Sequence, residues 1–301
     1  WYHTLSSAWQ IAGDYDVEAV SYLSELLAQT AEDAHEQRYA LLLARERAYD
    51  VQGARDSQRQ DLAALEAVVD VLDDGDLQTA ARRAEVALRQ SSFARATGDY
   101  PLAVDHARRA IDLAQAIEDD NLEAKGYLYL SAPLVHQGLY HESRSCLKRA
   151  LTLAQQTQDP WIEADGQSKL GGVLYYLGEF ADAQACYERA LSVRRRLNDR
   201  VGEGVTLGNL GFIVAAQGFG PQAMVHYEEA LHLTRQIGDR EMEAWLLNNL
   251  GNLFVGQMAV DGEGVRGRDD LREVHAPYAV RQVVPVRVVA GHLHAEGGGV
   301  P

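Results

Sequence analysis

The sequence repeats at intervals of 40 residues, and this periodicity constrains the fold more than any other feature. Three residue types recur at that interval over four units: Asp119, Asp159, Asp199 and Asp239; Gly98, Gly138, Gly178 and Gly218; Ala110, Ala150, Ala190 and Ala230. A fourth series is Leu130, Leu170, Leu210 and Leu250, each followed by a small residue. Agreement of separate series over four units indicates one supersecondary unit that is stacked repeatedly.

Each unit has the pattern of two helices separated by a glycine. In residues 160–199, apolar and small residues recur at three- and four-residue intervals up to Gly178, and a second run begins at Phe180. This spacing is typical of helices, and glycine lets the chain turn between them through the left-handed region. The boundary aspartates are placed to cap the next helix, and Pro160 stands at the preferred first helical position. We expect Ala190 and its equivalents to be buried where helices approach closely.

The unit resembles a tetratricopeptide repeat. In residues 167–190 the match to that family's pattern consists of Leu170-Gly171, Leu174, Gly178, Phe180, Ala183, Tyr187 and Ala190. The usual unit of the family has 34 residues, so the extra residues here lengthen the second helix and its connection. The resemblance implies an all-α solenoid of stacked antiparallel helix pairs. It also implies a scaffold like the sensor arms of bacterial signalling ATPases and transcription regulators.

The pattern divides the chain into three parts. Residues 1–76 are predicted to form two degenerate repeats, because Gly13 and Gly53 are also 40 residues apart. Residues 77–256 are predicted to form the regular solenoid, which makes six helix pairs in total and one further first helix at about 240–255. Residues 257–301 have no helical period, and we expect a disordered or non-native tail.

Composition excludes several classes of partner. The formal net charge of −16 disfavours direct binding of nucleic acid. No run of 18 or more apolar residues predicts a membrane span. Two cysteines without a secretion signal favour the cytoplasm. Because the sequence opens on Trp1, we expect it to be a piece of a longer protein.

The motifs that could carry catalysis or bind a cofactor lack the context that such chemistry needs. Gly262 to Gly267 fits G-x-G-x-x-G, but no convincing strand precedes it. His292 and His294 are a weak metal pair. Cys146 and Cys186 occupy equivalent positions in neighbouring units, too far apart for a disulfide. We therefore predict no cofactor, no metal and no catalytic residue; an enzyme with its site in the tail or groove is the rival interpretation.

The candidate site is the concave groove that, by the resemblance, the first helices line. The positions that carry ligand contacts in this family hold Asn209, Asn248, Asn249, Asn252, Lys169, Tyr175 and Tyr176, with Tyr129, Trp245 and Arg95 as lesser candidates. Asparagine is a mediocre helix former, and its amide can both donate to and accept from a peptide backbone. Alternatively, Asn248 and Asn252 pair with each other or with the next unit.

These observations predict a non-catalytic scaffold that binds a protein or peptide segment. The partner could be another domain of the same polypeptide, with the solenoid as the sensing or regulatory arm of a larger bacterial signalling protein. A free-standing adaptor is the alternative.

Overall fold

The computed structural model describes residues 17–72 and 76–262, and this part of the chain consists of twelve α-helices without a strand. The helices are α1 (Val17–Gln29), α2 (His35–Gln52), α3 (Arg55–Asp70), α4 (Leu77–Ala96), α5 (Tyr100–Ala116), α6 (Asp120–His136), α7 (Tyr140–Thr157), α8 (Pro160–Tyr176), α9 (Phe180–Leu197), α10 (Arg200–Ala216), α11 (Gly220–Ile237) and α12 (Arg240–Gly262). Each helix packs against the next along the chain, so the predicted all-α solenoid is confirmed.

The helices pair as the 40-residue period predicts. The third to sixth units are α4–α5, α6–α7, α8–α9 and α10–α11, and α12 is the first helix of a seventh. In the N-terminal part, α2 and α3 form the second unit and α1 is the second helix of the first. The first helix predicted around Gly13 lies outside the described residues.

The last helix is longer than predicted. The pattern ended α12 at about residue 255, whereas it continues to Gly262. The rest of the predicted tail lies outside the described residues, as do most of the G-x-G-x-x-G string and the His292–His294 pair.

The predicted turn glycines and capping aspartates are confirmed. The φ angles of Gly98, Gly138, Gly178 and Gly218 are +86°, +74°, +76° and +91°, which a residue with a side chain rarely adopts. The Asp159 carboxylate accepts hydrogen bonds from the backbone N–H groups of Trp161 and Ile162 at 2.9 and 3.0 Å. Asp119, Asp199 and Asp239 cap their helices in the same way.

A second turn in each unit has a feature that the sequence pattern did not reveal. The residue before the capping aspartate is left-handed in four successive units: Glu118, Gln158, Asn198 and Gly238, with φ of +56°, +55°, +54° and +82°. Only the last of these four is a glycine, so the other three adopt a conformation that costs an L-residue about 1–2 kcal/mol.

Small residues allow the helices of regular units to approach closely. The side chains of Ala110, Ala150, Ala190 and Ala230 are fully buried, as predicted. One continuous apolar cluster then runs from Ala124 to Leu250. Its extent indicates that the regular units share a core instead of having one each.

Ion pairs join the second unit to the third. The fully buried Glu46 carboxylate accepts hydrogen bonds from Gln58 within its own unit and from Arg89 of α4. Arg89 also bonds Asp50 at 2.8 Å. The second unit has its own apolar cluster, from Tyr39 to Val86, separate from the large one. Buried charges therefore carry much of the contact between α2 and α4.

Candidate functional site

The first helices of the regular units, α4, α6, α8, α10 and α12, form a row that we call the inner surface. Along this row α4 contacts α6, α6 contacts α8, and α10 contacts α12. Side chains from different units can therefore act on one ligand.

Two cations of the inner surface, Lys169 of α8 and Arg95 of α4, interact electrostatically although they belong to units two apart. Burial lowers the pKa of Lys169, and the positive charges of Arg95 and Arg194 oppose its protonation further. The Asp165 carboxylate attracts Lys169, but it also bonds Arg194 at 2.9 Å. Burial likewise lowers the pKa of Arg95. This part of the inner surface therefore holds two poorly solvated positive charges within a strongly acidic protein.

His136, the last residue of α6, lies next to this cationic centre. Its ring stacks on Tyr100 with centroids 4.3 Å apart. Burial and the charge of Arg95 lower the pKa of His136 to about 4, so its imidazole is neutral at pH 7. Sequence reasoning missed both residues, although the 40-residue register relates Tyr100 to Tyr140 and His136 to Tyr176.

Tyr175 and Tyr176 end α8 within an aromatic cluster. Tyr176 stacks on Tyr140 with centroids 5.0 Å apart, and Tyr175 meets the edge of Phe212 of α10 at 5.1 Å. Both tyrosines are partly buried. Together with Lys169, they show that three of the predicted site residues lie on α8, beside one another and partly accessible.

The predicted asparagines fall into two groups. Asn248 and Asn252 are exposed on α12. In contrast, Asn209 is fully buried and Asn249 is 5% exposed. The Asn249 amide donates to the backbone carbonyl of Trp245 at 2.8 Å, and Trp245 is itself buried. The structure thus corrects the groove assignment of Asn209, Asn249 and Trp245, because these side chains are not offered to a partner.

The packing of α12 explains this correction. A Cβ atom on Gly208 would lie 2.7 Å from Cε of Met242 and 2.8 Å from Cζ3 of Trp245. The glycine therefore lets α12 come so close to α10 that the adjoining Asn209 is covered. Tyr129 and Arg95, the other lesser candidates, remain partly accessible.

Other kinds of site were sought in the part of the chain that the structure describes. No group of three or more His, Cys, Asp or Glu side chains there could hold a metal ion. Cys146 and Cys186 are both free thiols. None of the described helices combines the length and apolarity needed to cross a membrane.

The comparison with sequence families gives one match. The tetratricopeptide repeat family matches residues 127–196 and 162–218, the span of the fourth and fifth units and most of α10. No curated protein sequence matches the chain.

Several solved structures have the same fold. The Rap protein complexed with Competence and Sporulation Factor has a TM-score of 0.67 and 14% identity, over 80% of this chain and 68% of that one. The apo form of RapI has a TM-score of 0.58 and 15% identity, over 79% of this chain and 64% of that one. A signal transduction ATPase with numerous domains from Pyrococcus horikoshii, which has a tetratricopeptide repeat sensor, has a TM-score of 0.55 and 14% identity, over 81% of this chain.

This chain spans only part of those proteins. It covers 64% of the length of RapI and 40% of that of the ATPase. At these identities the likeness establishes the shared helical solenoid.

Proposed function

We propose that this chain, a tetratricopeptide repeat protein, binds an extended protein or peptide segment along its inner surface. The fold supports this proposal, because stacked helix pairs create long surfaces suited to extended ligands. One structural neighbour is a Rap protein in complex with Competence and Sporulation Factor, and another is described as the quorum sensor NprR from B. thuringiensis.

The observation that carries the proposal is the cationic centre formed by Lys169 and Arg95. A carboxylate of the ligand would replace water at these partly buried charges and reduce their mutual repulsion. Charge-assisted hydrogen bonds of this kind contribute about 1.5–3 kcal/mol. The centre would therefore fix an acidic side chain or a terminal carboxylate of the bound segment.

Neighbouring residues would hold the rest of the segment. Tyr175 and Tyr176 supply partly accessible rings next to Lys169 on α8. Asn248 and Asn252 supply exposed amides on α12, which could donate to and accept from a peptide backbone. We assign Asn209 and Asn249 to the support of this surface instead of to ligand contacts.

We further propose that the solenoid is the sensing or regulatory arm of a larger signalling protein. The Pyrococcus horikoshii ATPase supports this, because its title describes a tetratricopeptide repeat sensor. In that arrangement the bound segment could belong to another domain of the same polypeptide. Sequencing the reading frame on both sides of these 301 residues tests this part of the proposal, since an ATPase, cyclase or DNA-binding domain is expected in it.

Selection of peptides from a random dodecapeptide library displayed on phage tests the binding surface. Each selected peptide is titrated calorimetrically against the parent, Lys169→Met and Lys148→Met. Lys148 is an exposed lysine on the second helix α7, so it is a matched control for loss of charge. We expect Lys169→Met to weaken binding at least about tenfold and Lys148→Met to have no effect. Equal affinities for all three proteins would refute the inner surface as the site.

A further inference from the structure

Two ring stacks recur at the 40-residue period. Tyr100 faces His136 with centroids 4.3 Å apart and planes 10° from parallel. Tyr140 faces Tyr176 with centroids 5.0 Å apart and planes 7° from parallel. In both pairs, the first residue of a second helix meets the last residue of the following first helix.

The next position in this series lacks one of its rings. The residues 40 positions beyond Tyr140 and Tyr176 are Phe180, which begins α9, and Ala216, which ends α10. The methyl group of Ala216 stands where the two preceding units have a ring. The register therefore leaves one face of Phe180 without the stacking partner that its equivalents have.

An open cavity of about 620 Å³ lies at this position. Its lining residues are Gly178, Glu179, Phe180, Ala181, Asp182, Ala216, Gln217 and Phe219. Phe219 is 51% exposed, which is unusual for a large apolar side chain that has no ligand to cover it. The volume lies within the range of about 300–1,000 Å³ found for small-ligand sites.

We infer that this cavity binds an aromatic side chain of the ligand, and that the ligand's ring completes the third stack against Phe180. The inference rests on the proposed function, because the aromatic residue belongs to the segment bound along the inner surface. Parallel, offset rings attract one another beyond the area that they bury. The two preceding stacks show that the backbone of these units holds two rings in that arrangement.

Charge complementarity defines the neighbour of this aromatic residue. Two of the eight described lining residues, Glu179 and Asp182, carry carboxylates, and none of the eight carries a positive charge. Glu179 is bonded to Arg144 of α7 at 3.0 Å, whereas Asp182 is exposed at the rim. A lysine or arginine next to the aromatic residue of the ligand would therefore be attracted to the rim.

Fluorine NMR of protein labelled with 4-fluorophenylalanine tests the site with defined probes. The chain has five phenylalanines, of which Phe180 and Phe219 line the cavity, while Phe93 and Phe254 lie on α4 and α12. The probe is acetyl-phenylalanyl-lysine amide. We expect saturable shifts at Phe180 and Phe219 and none at Phe93 or Phe254.

Two further probes separate the ring from the charge. Acetyl-alanyl-lysine amide lacks the ring and is expected to bind at least about tenfold more weakly, since burial of an aromatic side chain is worth more than a factor of ten. Acetyl-phenylalanyl-glutamate amide reverses the charge and should also bind more weakly. Equal shifts from all three probes, or no shift from the first, would overturn the inference.

Restoring the missing ring gives an independent test. Ala216→Tyr and Ala216→His introduce the residues that the fifth and fourth units have at this position, and both should abolish the shifts by filling the cavity. Ala96→Tyr is the matched control, because Ala96 ends α4 as Ala216 ends α10. Circular dichroism checks the folding of each variant, and the histidine variant serves if the tyrosine variant is unfolded. Undiminished probe binding by a folded Ala216 variant would refute the site.

The library peptides distinguish this inference from the proposed function. If their affinity depends on Lys169 but not on Ala216→Tyr, the inner surface stands and the aromatic site fails. If the dipeptide shifts Phe180 and Phe219 while library peptides are indifferent to Lys169→Met, the aromatic site stands and the cationic centre fails.

Discussion

Gly171 of α8 lies so close to Tyr187 of α9 that a Cβ atom on the glycine would stand 2.8 Å from Cε2 of the ring. Tyr187 is fully buried, so its ring has little room to move. The small residue after each repeated leucine thus sets how closely the two helices of a unit approach.

Replacing Gly171 by alanine should therefore destabilise the fold. We expect Gly171→Ala to lower the free energy of unfolding by about 1–3 kcal/mol through overpacking, measured by urea denaturation. Gly251 holds the same repeat position in α12, where an added Cβ would meet nothing within 4 Å. Gly251→Ala should be neutral or stabilising by up to about 1 kcal/mol, because alanine favours the helix. A similar loss in both variants would contradict this account.

The left-handed residue before each capping aspartate predicts a stabilising substitution. Glu118 has a φ of +56°, and glycine adopts that conformation without the side-chain penalty. Glu118→Gly should raise the free energy of unfolding by about 0.5–1 kcal/mol, after allowance for the greater entropy of glycine in the unfolded chain. Glu118→Ala, which removes the carboxylate but keeps Cβ, should give no such gain. If both variants gain equally, the removed charge is the cause.

The missing ring at residue 216 also predicts a change in stability. Ala216→Tyr should stabilise the fold by about 0.5–1.5 kcal/mol if the new ring stacks on Phe180 as Tyr176 does on Tyr140. The measurement is the thermal midpoint, with Ala96→Tyr as the comparison. A midpoint that falls in the first variant would show that the position cannot accept a ring.

His136 predicts a loss of stability in acid. Its folded-state pKa of about 4 lies below the ordinary value, so the unfolded state binds the proton first as the pH falls. Its contribution is complete above about pH 6.5 and is lost between there and about pH 4, a change of about 1–2 kcal/mol. His136→Tyr keeps a ring but does not titrate in this window. Parallel pH profiles for parent and variant, measured by urea denaturation, would contradict the prediction.

Lys169 should be directly observable, because Lys125, Lys148 and Lys169 are the chain's three lysines. With ¹³C at Cε, the spectrum has three side-chain signals, and Lys169→Met assigns one of them. We expect that signal to titrate below the ordinary lysine value, since burial and the charges of Arg95 and Arg194 oppose protonation. Titration at the ordinary value would remove the basis for the cationic centre.

The sequence predicted the features that depend on one residue type at a fixed position. Gly178, Asp159 and Ala190 each do one local task, and repetition made that task visible. The burial of Asn209 was not predictable in this way, because it depends on how closely α12 approaches at Gly208. The left-handed Gln158 was missed for a related reason, since three different side chains occupy that turn before Gly238 shows its preference.

The inner surface shows the same division. The resemblance correctly brought Lys169, Tyr175 and Tyr176 together, because neighbouring positions at one end of α8 share a face. It could not reveal that Arg95, two units away, acts on Lys169, since that depends on the stacking of whole helices. His136 and Tyr100 were detectable in principle, because each is aligned by the 40-residue period with a tyrosine of the next unit.

The ion pairs between α2 and α4 have a mechanical consequence. The apolar core that runs from Ala124 to Leu250 resists bending, whereas the contact through Glu46, Asp50 and Arg89 joins two separate apolar clusters. Added salt weakens interactions between the less buried charges there and leaves apolar packing intact. The solenoid should therefore behave as a stiff arm with a salt-sensitive joint near its N-terminal end, and the angle between the two segments, followed by small-angle scattering, should change with ionic strength while helicity stays constant.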